Sequence, residues 1–277
     1  MHVRGEVHFL IIALIIIGGF QVLQTSPLDS RYMAYIKYGN GPETILALHG
    51  SPGDKSDFEL LGTALASQYT MYALDLPCFG EQGLMKRDCG IDGAADFVAA
   101  FMDEQGIARA HILGYSWGGG AAITFAAHYP ERTKTLVLLD SMGIPEGEMT
   151  GSYATERARL YLSYPFVLYY PGVFGGDLPW RQGFMQSYRE TDLRTIRSDL
   201  SRIEVPTLVL HGSRDSVVEP WVAEEHARLI TRSELVWFNG AHGSIFSDVS
   251  EISPAIRAFI DKHTTKGVTA SFGLTIQ

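Results

Sequence analysis

Ala110-His111-Ile112-Leu113-Gly114-Tyr115-Ser116-Trp117-Gly118-Gly119-Gly120-Ala121-Ala122-Ile123 is the stretch that decides the fold. Its first part is a short apolar run suited to a buried strand, and its second part, rich in Gly and Ala, suits a helix packed close against that strand. Between them stands a G-x-S-x-G pentapeptide centred on Ser116. A strand that turns directly into a helix forces the central residue into a strained backbone conformation and needs small neighbours, which Gly114 and Gly118 supply. Such a turn lifts the Ser116 hydroxyl to where a substrate can reach it.

Outward from this turn, short apolar runs alternate with helix-like segments, the pattern of a mostly parallel α/β sheet with crossover helices. The predicted strands are Tyr32–Tyr38, Thr44–Leu48, Tyr69–Leu74, Ala110–Leu113, Thr135–Leu139, Thr207–Leu210 and Leu235–Phe238. Helices are predicted over Asp57–Ser67, with Ser56 and Glu59 as a capping box, and over Ile91–Gln105, Trp117–His128, Pro220–Ile230 and Glu251–Lys262. Between Met142 and Ser201 no buried strand is legible, and a structureless loop that long is improbable, so residues 142–201 are predicted to be a helical insertion. Residues 27–141 and 202–263 then form the core, and 264–277 a flexible tail.

The chain has 277 residues and a formal net charge of −9, which excludes the basic footprint of a nucleic-acid binder. Residues 1–26 hold an almost wholly apolar run, Val7–Leu23. About 17 residues at 1.5 Å each cover roughly 25 Å, enough for a bilayer core. This segment reads as a membrane anchor with the globular part outside the cytoplasm, or as a signal peptide of a secreted protein, or as a soluble hydrophobic element. Cys78 and Cys89 are compatible with a disulfide in an oxidising compartment or with two free thiols, and no further ligands accompany them to make a zinc site.

A serine hydroxyl is a poor nucleophile at neutral pH, so Ser116 calls for a histidine base, an acid to orient it and an oxyanion hole. The run Thr207–Leu210 leads through His211-Gly212-Ser213-Arg214 to Asp215, a carboxylate at a strand tip. Leu235–Phe238 leads in the same way to His242, flanked by Gly240 and Gly243. The order Ser116, Asp215, His242 is the one that accompanies a nucleophile elbow. Asp140, which also ends an apolar run, is the alternative acid, while His49, His111, His128, His211 and His226 read as supporting residues. For the oxyanion hole, the N–H of Trp117 lies at a helix start and that of Ser51 lies in the turn His49-Gly50-Ser51-Pro52-Gly53.

Together, His49-Gly50-Ser51-Pro52-Gly53, Asp75-Leu76-Pro77-Cys78-Phe79-Gly80, the Ser116 pentapeptide, His211-Gly212-Ser213-Arg214-Asp215 and Gly240-Ala241-His242 make the chain resemble the α/β-hydrolase superfamily. The resemblance implies an eight-stranded, mostly parallel sheet flanked by helices, a helical cap inserted after the sixth strand, and a site between sheet and cap. It also implies acyl transfer through Ser116 with no metal or organic cofactor. Relatives with epoxide-hydrolase or haloalkane-dehalogenase activity carry aspartate where Ser116 stands, which argues against both. Cys78 replaces a glycine usual in the loop of such relatives.

The inserted segment is aromatic, with Tyr153, Tyr161, Tyr164, Phe166, Tyr169, Tyr170, Phe174, Trp180, Phe184 and Tyr188, and Tyr115, Tyr153 and Trp180 are the predicted substrate contacts. Arg157, Arg159, Arg181, Arg189, Arg194 and Arg197 alternate with acidic residues and read as a solvated face. The leading functional expectation is a serine hydrolase acting on a small or medium apolar carboxylic ester. A prolyl aminopeptidase-like amide hydrolase, a carbon–carbon bond hydrolase and a non-catalytic, membrane-anchored binding module are the alternatives.

Overall fold

A computed structural model describes residues 33–82, 88–148, 152–169 and 178–269. Each apolar run of the sequence forms a strand: β1 (Tyr35–Tyr38), β2 (Glu43–Leu48), β3 (Tyr69–Leu74), β4 (Ala110–Tyr115), β5 (Thr133–Leu139), β6 (Thr207–Gly212) and β7 (Ser233–Phe238). They make one sheet in the order β1-β3-β2-β4-β5-β6-β7, with β1 antiparallel to β3 and every other pair parallel. The expected eighth strand is corrected to seven among the described residues. The antiparallel edge is supplied by the four-residue β1, which starts just after the described residues begin.

Strand alternation divides the core into two halves. Leu46 and Leu48 of β2, Ile112 of β4, Leu136 and Leu138 of β5 and Val209 of β6 face one side. Ile45 and Ala47, Leu113, Val137 and Leu139, and Leu208 and Leu210 face the other. Both faces are apolar, as a sheet covered on both sides requires.

The second face is covered by α1 (Glu59–Leu65), through Leu61 and Leu65. The first is covered by α2 (Ile91–Glu104) and α3 (Trp117–His128), through Phe97, Phe101, Ile123 and Phe125 among others. Before α1, residues Lys55–Phe58 form a 3₁₀ turn whose cap is Asp54, accepting from Ser56 N–H at 2.7 Å, so the capping residue lies two positions earlier than predicted. An aspartate bonding an amide two residues on is a cap in itself and displaces the Ser56 alternative.

After β5 come α4 (Pro145–Glu148), α5 (Tyr153–Tyr169), α6 (Leu178–Glu190) and α7 (Ile196–Arg202), all helical as expected. Val167, Leu168 and Met185 pack α5 on α6 in a small apolar cluster. Ile196 and Leu200 of α7 instead join the main core beside Ile123. α8 (Pro220–Leu229) and α9 (Ile252–Thr269) complete the layers, α9 lying with α1 through Ile252, Ile256 and Phe259. The last helix therefore runs past residue 264, where a tail was expected, and 270–277 lie outside the described residues.

Cys78 and Cys89 are joined in a disulfide with Cα atoms 5.7 Å apart. Cys78 has φ +70°, the left-handed conformation that favours glycine. A Cβ on Gly183 of α6 would fall 1.9 Å from the Cys78 carbonyl oxygen, and Glu190 accepts the Cys89 N–H at 2.7 Å. The inserted helix thus rests directly on the disulfide loop. Among the described residues no helix is long and apolar enough to cross a membrane, and Val7–Leu23 lies outside them.

Candidate active site

The site is built around the turn from β4 into α3. Ser116 has φ 52° and ψ −121°, a conformation that L-residues avoid unless their surroundings enforce it. Enforcement comes from three backbone bonds: Ser116 N–H donates to Leu139 at 3.1 Å, and its carbonyl accepts from Gly119 at 2.9 Å and Met142 at 3.1 Å. It also comes from contact. A Cβ on Gly114 would lie 2.5 Å from the Gly118 carbonyl oxygen, and one on Gly118 would lie 2.2 Å from that of Leu48.

β6 and β7 deliver the other two groups. Asp215 lies in the turn after β6 and His242 opens a 3₁₀ turn, His242–Phe246, after β7. His242 Nδ1 is 2.7 Å from Asp215 Oδ2, and its Nε2 is 3.0 Å from Ser116 Oγ. A carboxylate only accepts, so Nδ1 carries the imidazole proton and Nε2 is left to accept from the serine hydroxyl. Burial works against the charge of Asp215, but His242 and the Val217 and Val218 N–H groups, at 2.8 and 2.9 Å from Oδ1, outweigh it and hold the carboxyl below its usual range.

Asp140, the alternative acid, has a different environment. It is fully buried at φ 44°, its Oδ1 accepts from Gly212 N–H at 2.7 Å, and its Oδ2 has no partner. Burial, reinforced by the nearby Asp215 charge and opposed by the Gly212 bond, pushes its carboxyl up to about 8. His211 stands between the two acids, with Nε2 donating to Val218 at 3.0 Å and Nδ1 3.6 Å from Asp140. Asp140, His211 and Asp215 are a cluster of metal-ligand type, with ligand atoms within 4.8 Å of one another. Val217, Val218, Gly212 and His242 already occupy most of those atoms. Asp140 Oδ2 and His211 Nδ1 alone are too few ligands for a tetrahedral site.

Ser51 lies in the turn closed by Gly53 N–H donating to the Gly50 carbonyl at 2.8 Å, and a Cβ on Gly50 would lie 3.0 Å from Ser116 Cβ. The turn that was expected to supply one oxyanion donor is therefore beside the serine. Trp117 is the first residue of α3, where the N–H has no acceptor within the helix. Its indole N–H donates to Thr191 Oγ1 at 3.3 Å, and its ring meets Phe79 edge to face. His49, read only as a supporting residue, links two strand ends: Nε2 accepts from Leu76 N–H at 3.0 Å, so Nδ1 carries the proton and donates to the Gly50 carbonyl at 2.7 Å. A polar residue immediately after the apolar run of β2 was its signal in the sequence.

Two of the three predicted substrate contacts need correction. Tyr115 is 3% exposed, and its hydroxyl donates to the His242 carbonyl at 2.8 Å, with the two rings 5.2 Å apart. Strand alternation turns it from the inserted helices towards the histidine loop. Trp180 stacks on Phe184 at 5.9 Å and does not line the cavity. Tyr153 does. It lines a cavity of about 380 Å³ with Trp117, Met142, Arg157, Leu160 and Leu193, between the first turn of α3 and the inserted helices, and Ser116, Asp215 and His242 are not among the residues that line it. The arginines are likewise not all on a solvated face, since Arg157 is on the cavity wall and Arg181 is buried, donating to the Leu168 carbonyl at 3.1 Å.

Residues 45–253, which carry most of β2 and all of β3 to β7 together with the elbow, the acid and the histidine, match the model of the alpha/beta hydrolase family. The chain belongs to that family. This alpha/beta hydrolase is 28% identical over 243 residues to the pimeloyl-[acyl-carrier protein] methyl ester esterase of Neisseria meningitidis, covering 78% of the chain and 92% of the relative. It is 37% identical over 133 residues to the dihydrolipoyllysine-residue acetyltransferase component of the acetoin cleaving system of Cupriavidus necator, but that covers 48% of the chain and only 35% of that relative. Among solved structures, it is similar to a thermophilic esterase from Thermogutta terrifontis, with a TM-score of 0.68 and 22% identity over 83% of this chain and 93% of that one. The hydrolase is an enzyme with esterase relatives.

Proposed function

We propose that this hydrolase cleaves carboxylic esters through an acyl-enzyme formed on Ser116. The observation that carries the reading is the unbroken hydrogen-bonded line from Asp215 through His242 to Ser116 Oγ, ending on a serine held at positive φ. His242 Nε2 takes the hydroxyl proton as Oγ bonds to the ester carbonyl carbon. The resulting oxyanion accepts from the backbone N–H groups of Ser51 and Trp117, the latter aided by the positive end of α3. His242 then gives its proton to the departing alkoxide oxygen. In the second half, water loses a proton to Nε2 and attacks the acyl carbon, and Nε2 then returns that proton to Ser116 Oγ as its bond to the acyl carbon breaks and the carboxylic acid leaves. Asp215 holds the ring in the productive tautomer and balances the imidazolium. The esterase relative in Neisseria meningitidis supports the choice of ester over other bonds. Attachment to a membrane through Val7–Leu23 belongs to the same proposal and rests on that segment's apolar composition.

A fluorophosphonate probe should label the native chain and not Ser116→Ala, and the substitution should lower ester turnover by on the order of 10⁴-fold or more. Absence of labelling in well-folded native protein would overturn the reading. A panel of nitrophenyl esters against proline anilide decides the bond cleaved, and preference for the anilide would favour the peptidase alternative.

A further inference from the structure

Among the described residues, two hydroxyl oxygens are shut off from solvent without a hydrogen-bond partner, Thr124 Oγ1 and Ser51 Oγ. Thr124 lies inside α3. Ser51 lies in the turn after β2, and that turn is firmly held. The Gly50 carbonyl accepts from Gly53 N–H at 2.8 Å and from His49 Nδ1 at 2.7 Å, while His49 Nε2 accepts from Leu76 N–H at 3.0 Å. A Cβ on Gly50 would lie 3.0 Å from Ser116 Cβ and 3.1 Å from the Tyr115 ring, so the turn abuts the elbow. Ser51 is one Cα step, about 3.8 Å, beyond that contact.

A hydroxyl taken out of water without a partner destabilises the fold, so its presence asks for an explanation. Any residue at position 51 except proline would present the backbone N–H. What serine adds is a second donor, unspent in the free enzyme. The N and Oγ of one serine are three bonds apart, and in a gauche rotamer they lie side by side, so one acceptor oxygen can meet both. Such an acceptor arises when Ser116 Oγ bonds to an ester carbon and the carbonyl oxygen becomes an anion. Hydrogen bonds to an anion are roughly twice as strong as those to a neutral oxygen. A donor kept free for that oxygen therefore favours the transition state over the bound ester.

We propose that the Ser51 hydroxyl is a third oxyanion donor, acting with the backbone N–H groups of Ser51 and Trp117 on the oxygen of the tetrahedral intermediate. Its proton stays on Ser51 Oγ throughout, and no covalent bond to that oxygen forms or breaks. His242 alone carries the proton that moves between Ser116, the leaving group and water. The proposal rests on the reading of the chain as an ester hydrolase with Ser116 as nucleophile.

Ser51→Ala in the full-length enzyme keeps both N–H groups and removes only the hydroxyl. On a nitrophenyl ester it should lower kcat and kcat/KM together by about 10- to 100-fold, with KM within about twofold of native. Its urea midpoint should equal or exceed the native one, because an unpaired buried hydroxyl contributes nothing to folding. An alkyl trifluoromethyl ketone gives the second measurement. Ser116 Oγ adds to its carbonyl carbon, His242 keeps the displaced proton, and the former carbonyl oxygen remains as an anion where the ester oxyanion forms. Its Ki should rise in Ser51→Ala by the factor by which kcat/KM falls, and Ser51→Gly, which also lacks the hydroxyl, should show the same paired change. A kcat of Ser51→Ala within about twofold of native, a loss of turnover with Ki unmoved, or a loss that follows a lowered urea midpoint would overturn the hydroxyl's role. Fluorophosphonate labelling of Ser116 in the same preparations would leave the esterase reading intact. Native protein that neither takes the probe nor turns over the ester would overturn both.

Discussion

At the scale of single residues, the two acids at the ends of β5 and β6 divide their work through solvation. Asp215 is stabilised as an anion by His242 and two amides, whereas Asp140 is stabilised as a neutral acid by burial. Asp215→Asn should therefore lower turnover by about 10⁴-fold, because the amide favours the wrong imidazole tautomer. Asp140→Asn, which keeps the acceptor for Gly212, should change turnover at pH 7 by less than about tenfold, and steady-state kinetics of both variants checks the division. The sequence shows two strand-end carboxylates and the order Ser116, Asp215, His242 favours the second, while the contact itself depends on turn geometry a few residues long. His226 makes a second case. Both of its ring nitrogens are buried without partners, and burial, reinforced by neighbouring His211, lowers its pKa to about 3. In the unfolded chain the same ring takes a proton near pH 6.5. The unfolded state therefore binds more protons between these values, and stability falls as the solution is acidified through that window, by at most about 1.4 kcal/mol per pH unit. His226→Leu should be more stable than the native chain at pH 5, with the difference shrinking towards pH 7.5 in urea titrations; a gap independent of pH would refute the argument.

At the scale of elements, α3 shows how far local sequence carries the fold. Its glycines were legible as close-packing residues, and the structure separates them by what they touch. Gly118→Ala should cost about 1–3 kcal/mol or more, because the methyl meets the backbone oxygen of Leu48 at 2.2 Å and strands cannot shift independently. Gly120→Ala, whose methyl meets the Ile91 side chain at 3.3 Å, should cost less, since a helix gains roughly 0.5–1 kcal/mol from Gly→Ala and a side chain can yield. Urea unfolding midpoints of the pair give the comparison. The strands were equally plain, because each holds a short apolar run. What was illegible was the direction of individual side chains. Tyr115 and Trp180 drew attention as aromatics near the site, yet one faces the histidine loop and the other stacks within α6. Arg157 looked like its neighbours in a charged segment, yet its hydrogen bonds go to the Tyr153 hydroxyl and the Tyr188 and Thr191 carbonyls.

At the scale of the whole molecule, every group placed at the site belongs to residues 49–242, within the span matched by the family model. The apolar run Val7–Leu23 lies outside the described residues. If it anchors the chain, full-length protein should stay in the membrane fraction through salt and carbonate washes, and its release with residues 1–26 intact would refute anchoring. The formal charge of −9 gives no overall electrostatic attraction to an anionic leaflet. Tyr115 and His242 are 127 residues apart, yet the hydroxyl of one holds the carbonyl of the other. The pentapeptide around Ser116 is consequently half of a matched set: transplanted into another scaffold without a histidine loop cut to meet the tyrosine, it would present a correctly bent serine with no fixed base. A designer who wishes to move this chemistry must graft the two loops as a pair.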